Sequence, residues 1–191
     1  MKLLIQSIRL TLVFTVITGL AYPLAITAVA QLAFNEQANG SLIRRQGQII
    51  GSELLAQQFT GAQYFWPRPS ACSYATVPSG ASNLGPTSQA LQSNVADRVA
   101  AFRTGNHLPP DASVPGDMAF ASGSGLDPHI SPAAAHLQVA RVATARGLTV
   151  DRIHALVTKF VEPSQGEFLG EPRVNVLRLN LALDEMGDTR R

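Results

Sequence analysis

From Leu10 to Phe34 the chain runs for twenty-five residues without a charge, between Arg9 and Glu36; beyond that, apolar positions come in short periodic groups. As a helix at about 1.5 Å per residue this run would reach roughly 37 Å, enough to cross a hydrocarbon core about 30 Å thick. It competes with a secretory signal, because Lys2 and Arg9 form a charged leader and Ala28-Val29-Ala30 has the small-x-small form of a cleavage site. Signal peptides use about 7–15 apolar residues, so the length favours a retained anchor. Gly19, Tyr22 and Pro23 lie inside the span, and Pro23 predicts a kink or a packed partner helix there.

Past the anchor, Asn39-Gly40-Ser41 marks a turn, and Leu42-Ile43 and Gln48-Ile49-Ile50 flank Arg44-Arg45-Gln46-Gly47 as a short hairpin. Gly51-Ser52 predicts a capped helix over 53–59. An irregular stretch, 60–86, holds the only Trp; loops of that length are usually either disordered or functional, and aromatics that disorder would leave in water disfavour the first. Thr87 caps a helix to Arg103 with Leu91, Val95, Val99 and Phe102 on one face and Gly105 as its stop. A second irregular stretch, 106–130, includes a short strand over 118–121. Ser131 and Pro132 then open a helix that Gly147 ends, and Ile153, Leu156, Val157 and Phe160 stripe another over 151–160. The last apolar segment, 174–183, reads as a mostly buried strand with a bulge, on which Asn175 and Asn180 clamp a neighbouring loop. The order predicts an α+β fold: an anchor helix at residues 1–36 and one soluble, compact extracytoplasmic domain at 37–191.

Charge narrows the function. Of the 15 Lys and Arg, two precede the apolar run, leaving 13 against 13 Asp and Glu, with no basic cluster, so nucleic acid is set aside. Lys2 and Arg9 before the span balance Arg44 and Arg45 after it, a tie in the positive-inside count. Arg9 abuts the apolar run, which favours the N-terminus inside and the bulk outside. The single Cys72 allows no internal disulfide.

Candidate chemistry is sparse. There is no phosphate-binding Gly-x-x-x-x-Gly-Lys, and Lys159 reads as a solvated charge. Ser124, Asp127 and His129 supply the residue types of a hydrolase, but Ser122 stands where a nucleophile elbow needs its first glycine. His129 and His136 lack a third partner at zinc-ligand spacing. Asp127 before Pro128 reads as a turn former that ties down its loop.

Seven segments in order, G-L-A-Y-P-L from Gly19, A-N-G-S-L from Ala38, Y-F-W-P-R-P-S-A from Tyr64, S-N-L-G-P from Ser82, S-G-S-G-L-D-P-H-I-S from Ser122, Q-V-A-R-V-A from Gln138 and L-G-E-P-R-V-N-V-L-R-L-N-L-A-L from Leu169, closely resemble the KdpC family. That family is a subunit of the bacterial high-affinity potassium-transporting P-type ATPase. Gly80-Ala81-Ser82 and Leu55-Ala56-Gln57 depart from its usual Gly-Gly-Ser and Ile-Gly-Gln. The resemblance implies a single-pass inner-membrane subunit, without catalytic or metal residues of its own. Its implied partners are a channel-like potassium-binding subunit, an ATP-hydrolysing P-type subunit, a small additional membrane subunit and the bilayer. No cofactor is expected on this chain, ATP being reached through the partner ATPase subunit; the resemblance implies two roles, a catalytic chaperone that raises the ATP affinity of the hydrolysing subunit and an outer cap over the potassium-binding subunit, which cannot itself touch ATP on the cytoplasmic side. Tyr64, Phe65, Arg68, Asn83, Asp127 and His129 are expected to shape the partner surface, and Gly19, Tyr22 and Pro23 to pack on membrane helices of a partner. A free-standing anchored binding or hydrolase domain is the alternative.

Overall fold

The computed structural model describes residues 1–166 and 168–188. It forms two compact units, Met1–Ser52 and Glu53–Arg191. In the first, α1 (Lys2–Val16), a π-helical turn (Ile17–Ala21) and α2 (Tyr22–Ala33) make one continuous helix of 32 residues, long and apolar enough to cross a membrane. A kink or a packed partner helix is expected at Pro23; the structure has a π turn within the continuous helix. Pro23 has no N–H and its ring crowds the carbonyl four residues back, and the preceding turn widens so that Tyr22 N–H bonds the Ile17 carbonyl. A short α3 (Asn35–Ala38) leads to the antiparallel pair β1 (Leu42–Arg45) and β2 (Gln48–Ser52). Gln46 (φ 51°) and Gly47 (φ 80°) form the two-residue turn, whose paired positive φ values suit the twist of a tight hairpin.

The second unit has its core where three helices meet a small antiparallel sheet. α4 (Gln89–Gly105) and α5 (Gly116–Ala119) precede β3 (His129–Ile130), α6 (Pro132–Arg146), α7 (Val150–Lys159), β4 (Val161–Glu162), β5 (Arg173–Asn175) and α8 (Val176–Asp188). β5 lies between β3 and β4. Ile130, Val142, Ile153, Val157, Val174, Leu179 and Leu183 are fully or almost fully buried, and Phe65, Phe102 and Met118 join them from outside the sheet and the α6–α8 helices. The punctuation of α6 is as expected: Ser131 Oγ accepts from Ala134 N–H at 3.1 Å, and Gly147 leaves the helix at φ 62°.

Four expectations are corrected. The last segment is a three-residue strand followed by a helix, because Val176, Leu179, Asn180 and Leu183 repeat at i, i+3, i+4 and i+7 and bury one helical face. Asn175 Oδ1 accepts from Arg178 N–H at 3.1 Å and starts that helix, so the apparent bulge is the change of period from 2 to 3.6. Residues 53–59 are not helical: Ala56 N–H bonds the Leu126 carbonyl and the Glu53 carbonyl accepts from Asn175, so tertiary partners replace the helical ladder. Residues 118–121 are not a strand; Met118 and Ala119 sit in α5, whose Asp117 carboxylate accepts from Ser131 N–H at 2.6 Å. The cap of α4 is Ser88, not Thr87.

Candidate functional site

The backbone of residues 61–68 forms no regular structure, so its buried N–H and C=O groups need partners from elsewhere. They find them on two helices. Asn180, on the buried face of α8, accepts from Phe65 N–H at 2.8 Å and donates to the Phe65 carbonyl at 3.0 Å. Gln138, on the buried face of α6, accepts from Trp66 N–H at 2.8 Å and donates to the Trp66 carbonyl at 3.3 Å. Each amide side chain thus substitutes for one rung of a β-ladder.

One turn along α6, Arg141 is 4 % exposed. Its guanidinium donates to the carbonyls of Ala62 (2.6 Å) and Tyr64 (2.9 Å), to Asn106 Oδ1 (2.8 Å) and to Gln138 Oε1 (2.7 Å), and stacks 3.9 Å from the Trp66 ring centroid. Among the described residues no carboxylate lies at ion-pair distance from it. The charge is therefore carried by carbonyl dipoles, and burial lowers its pKa to about 10. Arg146 continues the row, donating to the Gln63 and Leu183 carbonyls and pairing with Asp184 at 2.8 Å. A Cβ on Gly105 would overlap the Trp66 ring, which explains a glycine at the end of α4.

At the end of this clamped loop Arg68 meets the second irregular stretch. Arg68 Nη1 donates to Asp127 Oδ2 at 2.7 Å, while Asp127 Oδ1 accepts from His129 N–H at 3.0 Å. Burial pushes the Asp127 carboxyl up, but bonds from His129 and Arg68 outweigh it and bring its pKa down to about 2. The loop-tying role expected for Asp127 is what the geometry provides. Arg68, Asp127, His129, Asp117, Glu171 and Arg173 border an open polar groove of about 490 Å³. A second cavity, about 360 Å³ and mostly apolar, adjoins Trp66, Pro67 and Pro69.

The predicted site residues separate accordingly. Arg68, Asp127 and His129 come together at the polar groove. Tyr64 is half-buried, its ring under Arg146 and its hydroxyl 3.3 Å from Asp184; burial first, then that carboxylate, raise its pKa. Phe65 is a correction: its ring is 0 % exposed, because the Asn180 clamp turns it into the core, so it supports the surface from beneath and cannot touch a partner. Asn83 stands apart and exposed at φ 53°, a conformation Asn tolerates. Gly19, Tyr22 and Pro23 lie on the exposed first-unit helix. The loop-clamp roles of Asn175 and Asn180 hold, Asn175 donating to the Glu53 carbonyl at 2.8 Å.

The hydrolase grouping is not assembled: Ser124 Oγ accepts from Leu126 N–H at 3.0 Å, and Asp127 is committed to Arg68 and His129. His129 and His136 are not brought together either. His129 faces Asp127 and Glu162, whereas His136 stacks on His154 with ring centroids 4.4 Å apart. Gln138, Arg141 and Arg146 are the residues that sequence reasoning missed. The available signal was an Arg and a Gln within the stripe Ala134, Ala135, Gln138, Arg141 and Val142, all buried in α6.

A family model described as "KdpC: K+-transporting ATPase, c chain" matches residues 4–185. The potassium-transporting ATPase KdpC subunit of Rhodospirillum rubrum is 58% identical over 176 residues, covering 90% of this chain and 89% of that protein. The subunit of the same name from Mycobacterium tuberculosis is 51% identical over 185 residues (96% of this chain, 98% of the relative). That from Methylococcus capsulatus is 50% identical over 186 residues (94% and 96%). Matched over nearly its whole length, the chain belongs to the KdpC family, the c chain of K+-transporting ATPases.

Proposed function

We propose that the chain is a non-catalytic accessory subunit of an ATP-driven potassium uptake complex, held in the bacterial inner membrane by its helix and carrying residues 37–191 outside the cytoplasm. There the soluble part caps the potassium-binding subunit and couples its assembly to the ATP-hydrolysing subunit. The observation that carries this reading is the clamp: the side chains of Gln138, Arg141, Arg146 and Asn180 hold the backbone of residues 61–66 in place. A loop fixed before binding loses little entropy when a partner covers it, which is the property of a docking surface. The carboxylates nearby are engaged in structural bonds, Asp127 with Arg68 and His129 and Asp117 with Ser131, and this supports a binding rather than a hydrolytic reading.

A domain outside the membrane cannot touch ATP bound on the cytoplasmic face. Any rise in the nucleotide affinity of the hydrolysing subunit is then transmitted through membrane helices, with Gly19 in the π turn and Tyr22 and Pro23 just after it as the contact. The test is recovery of partner subunits and potassium-stimulated ATP hydrolysis with Arg68→Ala and Asp127→Ala. Both should fall severalfold. Parent-like recovery and hydrolysis with both variants would remove Arg68 and Asp127 from the interface.

A further inference from the structure

The apolar cavity beside the clamped loop has one charged group in its lining. Phe59, Trp66, Pro67, Tyr74 and Phe102 provide rings and edges, and Arg98 from α4 supplies the charge. Among the described residues Arg98 has no carboxylate at ion-pair distance; its one bond is a long 3.5 Å contact to the Ala119 carbonyl. A second cation lies behind the wall, since Arg141 stacks against Trp66 and is itself balanced only by neutral acceptors. The lining contains no Asp or Glu. Apolar surface with two positive charges and no negative one favours an occupant with an apolar body and an anionic end.

Size restricts the occupant further. About 360 Å³ is near the lower end of the roughly 300–1,000 Å³ of small-ligand pockets. It accommodates one bulky side chain and its neighbour. We infer that this cavity is an anchoring pocket for a partner subunit's segment in which a bulky apolar side chain stands next to a carboxylate, the carboxylate meeting Arg98. For the partner's identity this rests on the accessory-subunit reading; the chemistry of the pocket does not. It would also give the clamp a second task. By holding Trp66 from behind, Arg141 keeps the pocket wall in place when the pocket is empty.

Trp66 is the only tryptophan in the chain, so its fluorescence reports on the pocket directly. The full chain in nanodiscs, at low salt, is titrated with 3-phenylpropionate and with 3-phenylpropylammonium, which share an apolar body and differ in charge. The carboxylate should bind at least about fivefold more tightly, the scale of reversing one partly exposed ion pair, and Arg98→Gln should abolish the difference. Equal responses to the two probes, no response to either at millimolar concentration, or an unchanged preference in Arg98→Gln would each overturn the inference. The source of the occupant is tested with Ala101→Phe, which fills the cavity from the exposed side of α4. It should lower recovery of partner subunits severalfold while leaving the unfolding midpoint near that of the parent. Probe binding by the parent together with parent-like recovery by Ala101→Phe would show that no partner segment uses the pocket, and that too overturns it. The accessory-subunit reading is judged separately, by whether the unaltered chain recovers the partner subunits at all.

Discussion

Two irregular stretches, the aromatic-rich residues 61–68 and the small, uncharged residues 75–84, have opposite physical situations. The first buries Phe65 completely and gives its backbone groups to four side chains on α6 and α8. The second leaves Val77 88 % exposed. Before it, Ser70 and Tyr74 make the last firm attachments, through the Tyr74 N–H and its hydroxyl on the Arg68 carbonyl. The difference is that an irregular loop becomes rigid only when helices beneath it supply the partners that a sheet would have supplied. The clamped loop has its backbone held in one conformation before any partner arrives, which is what the proposed docking role requires. The exposed one has fewer such partners: Ala75 N–H bonds the Cys72 carbonyl, and the Cys72 thiol lies 3.5 Å from the Ala75 carbonyl.

The largest effect should come from the charge at the centre of the clamp. Arg141→Ala strands the Ala62 and Tyr64 carbonyls and the Asn106 and Gln138 amides, and should cost more than about 3 kcal/mol. Denaturant unfolding followed by Trp66 fluorescence measures it. Arg141→Lys should recover little, because a single ammonium cannot replace the planar fork. A loss below about 1 kcal/mol in Arg141→Ala would mean that the loop does not depend on the clamp.

Next is Asn180→Ala, which leaves both buried polar groups of Phe65 unpaired and should cost about 2–3 kcal/mol. Asn180→Asp keeps the acceptor and loses the donor, so it should fall between parent and alanine. A parent-like unfolding midpoint for the alanine variant would show that the bonds to Phe65 contribute nothing net.

A third effect is confined to acid. Asp127 titrates at about 2 when folded, against an ordinary value of 3.8. Its contribution is therefore fully present above about pH 4 and lost as pH falls through about 2, roughly 2 kcal/mol in all. Asp127→Asn should flatten stability against pH in that window alone. An equally steep acid limb in the variant would assign the acid sensitivity elsewhere.

The smallest stability effect belongs to the loose loop. Asn83→Gly keeps the positive φ and touches no buried group, so unfolding should move by less than about 0.5 kcal/mol. Recovery of partner subunits should nevertheless fall if Asn83 lies in the interface, because glycine removes its side-chain contacts and loses more conformational freedom on being covered. Unchanged recovery would remove Asn83 from the interface.

The sequence made some of this architecture legible. Ser131-Pro132 and Gly147 bracket α6 because caps act locally, and the apolar run Leu10–Phe34 lies, but for Phe34, within the helix Lys2–Ala33. The Asn clamps were also readable, since an Asn among buried apolar residues has few other uses. The C-terminal helix was not. Three strand residues precede it with no turn between, so two periods overlap around Asn175 and Val176 and the alternating reading prevails. Phe65 read as surface because aromatics in a Pro-rich loop look like a binding face; its direction is set by Asn180, 115 residues away. Arg141 escaped notice for the opposite reason. Arginine on a helix usually reads as solvated, and only the apolar stripe around it shows that it points inward.

The proposed docking role requires that the clamped loop face outward, over the potassium-binding subunit. Sidedness tests it most directly, by fusing after Arg191 a reporter active only outside the cytoplasm and, in a parallel chain, one active only inside. The outer reporter should be active and the inner one silent. Activity from the inner reporter alone would contradict it, turn the clamped loop toward the cytoplasm, and make direct contact with the nucleotide of the hydrolysing subunit the leading mechanism.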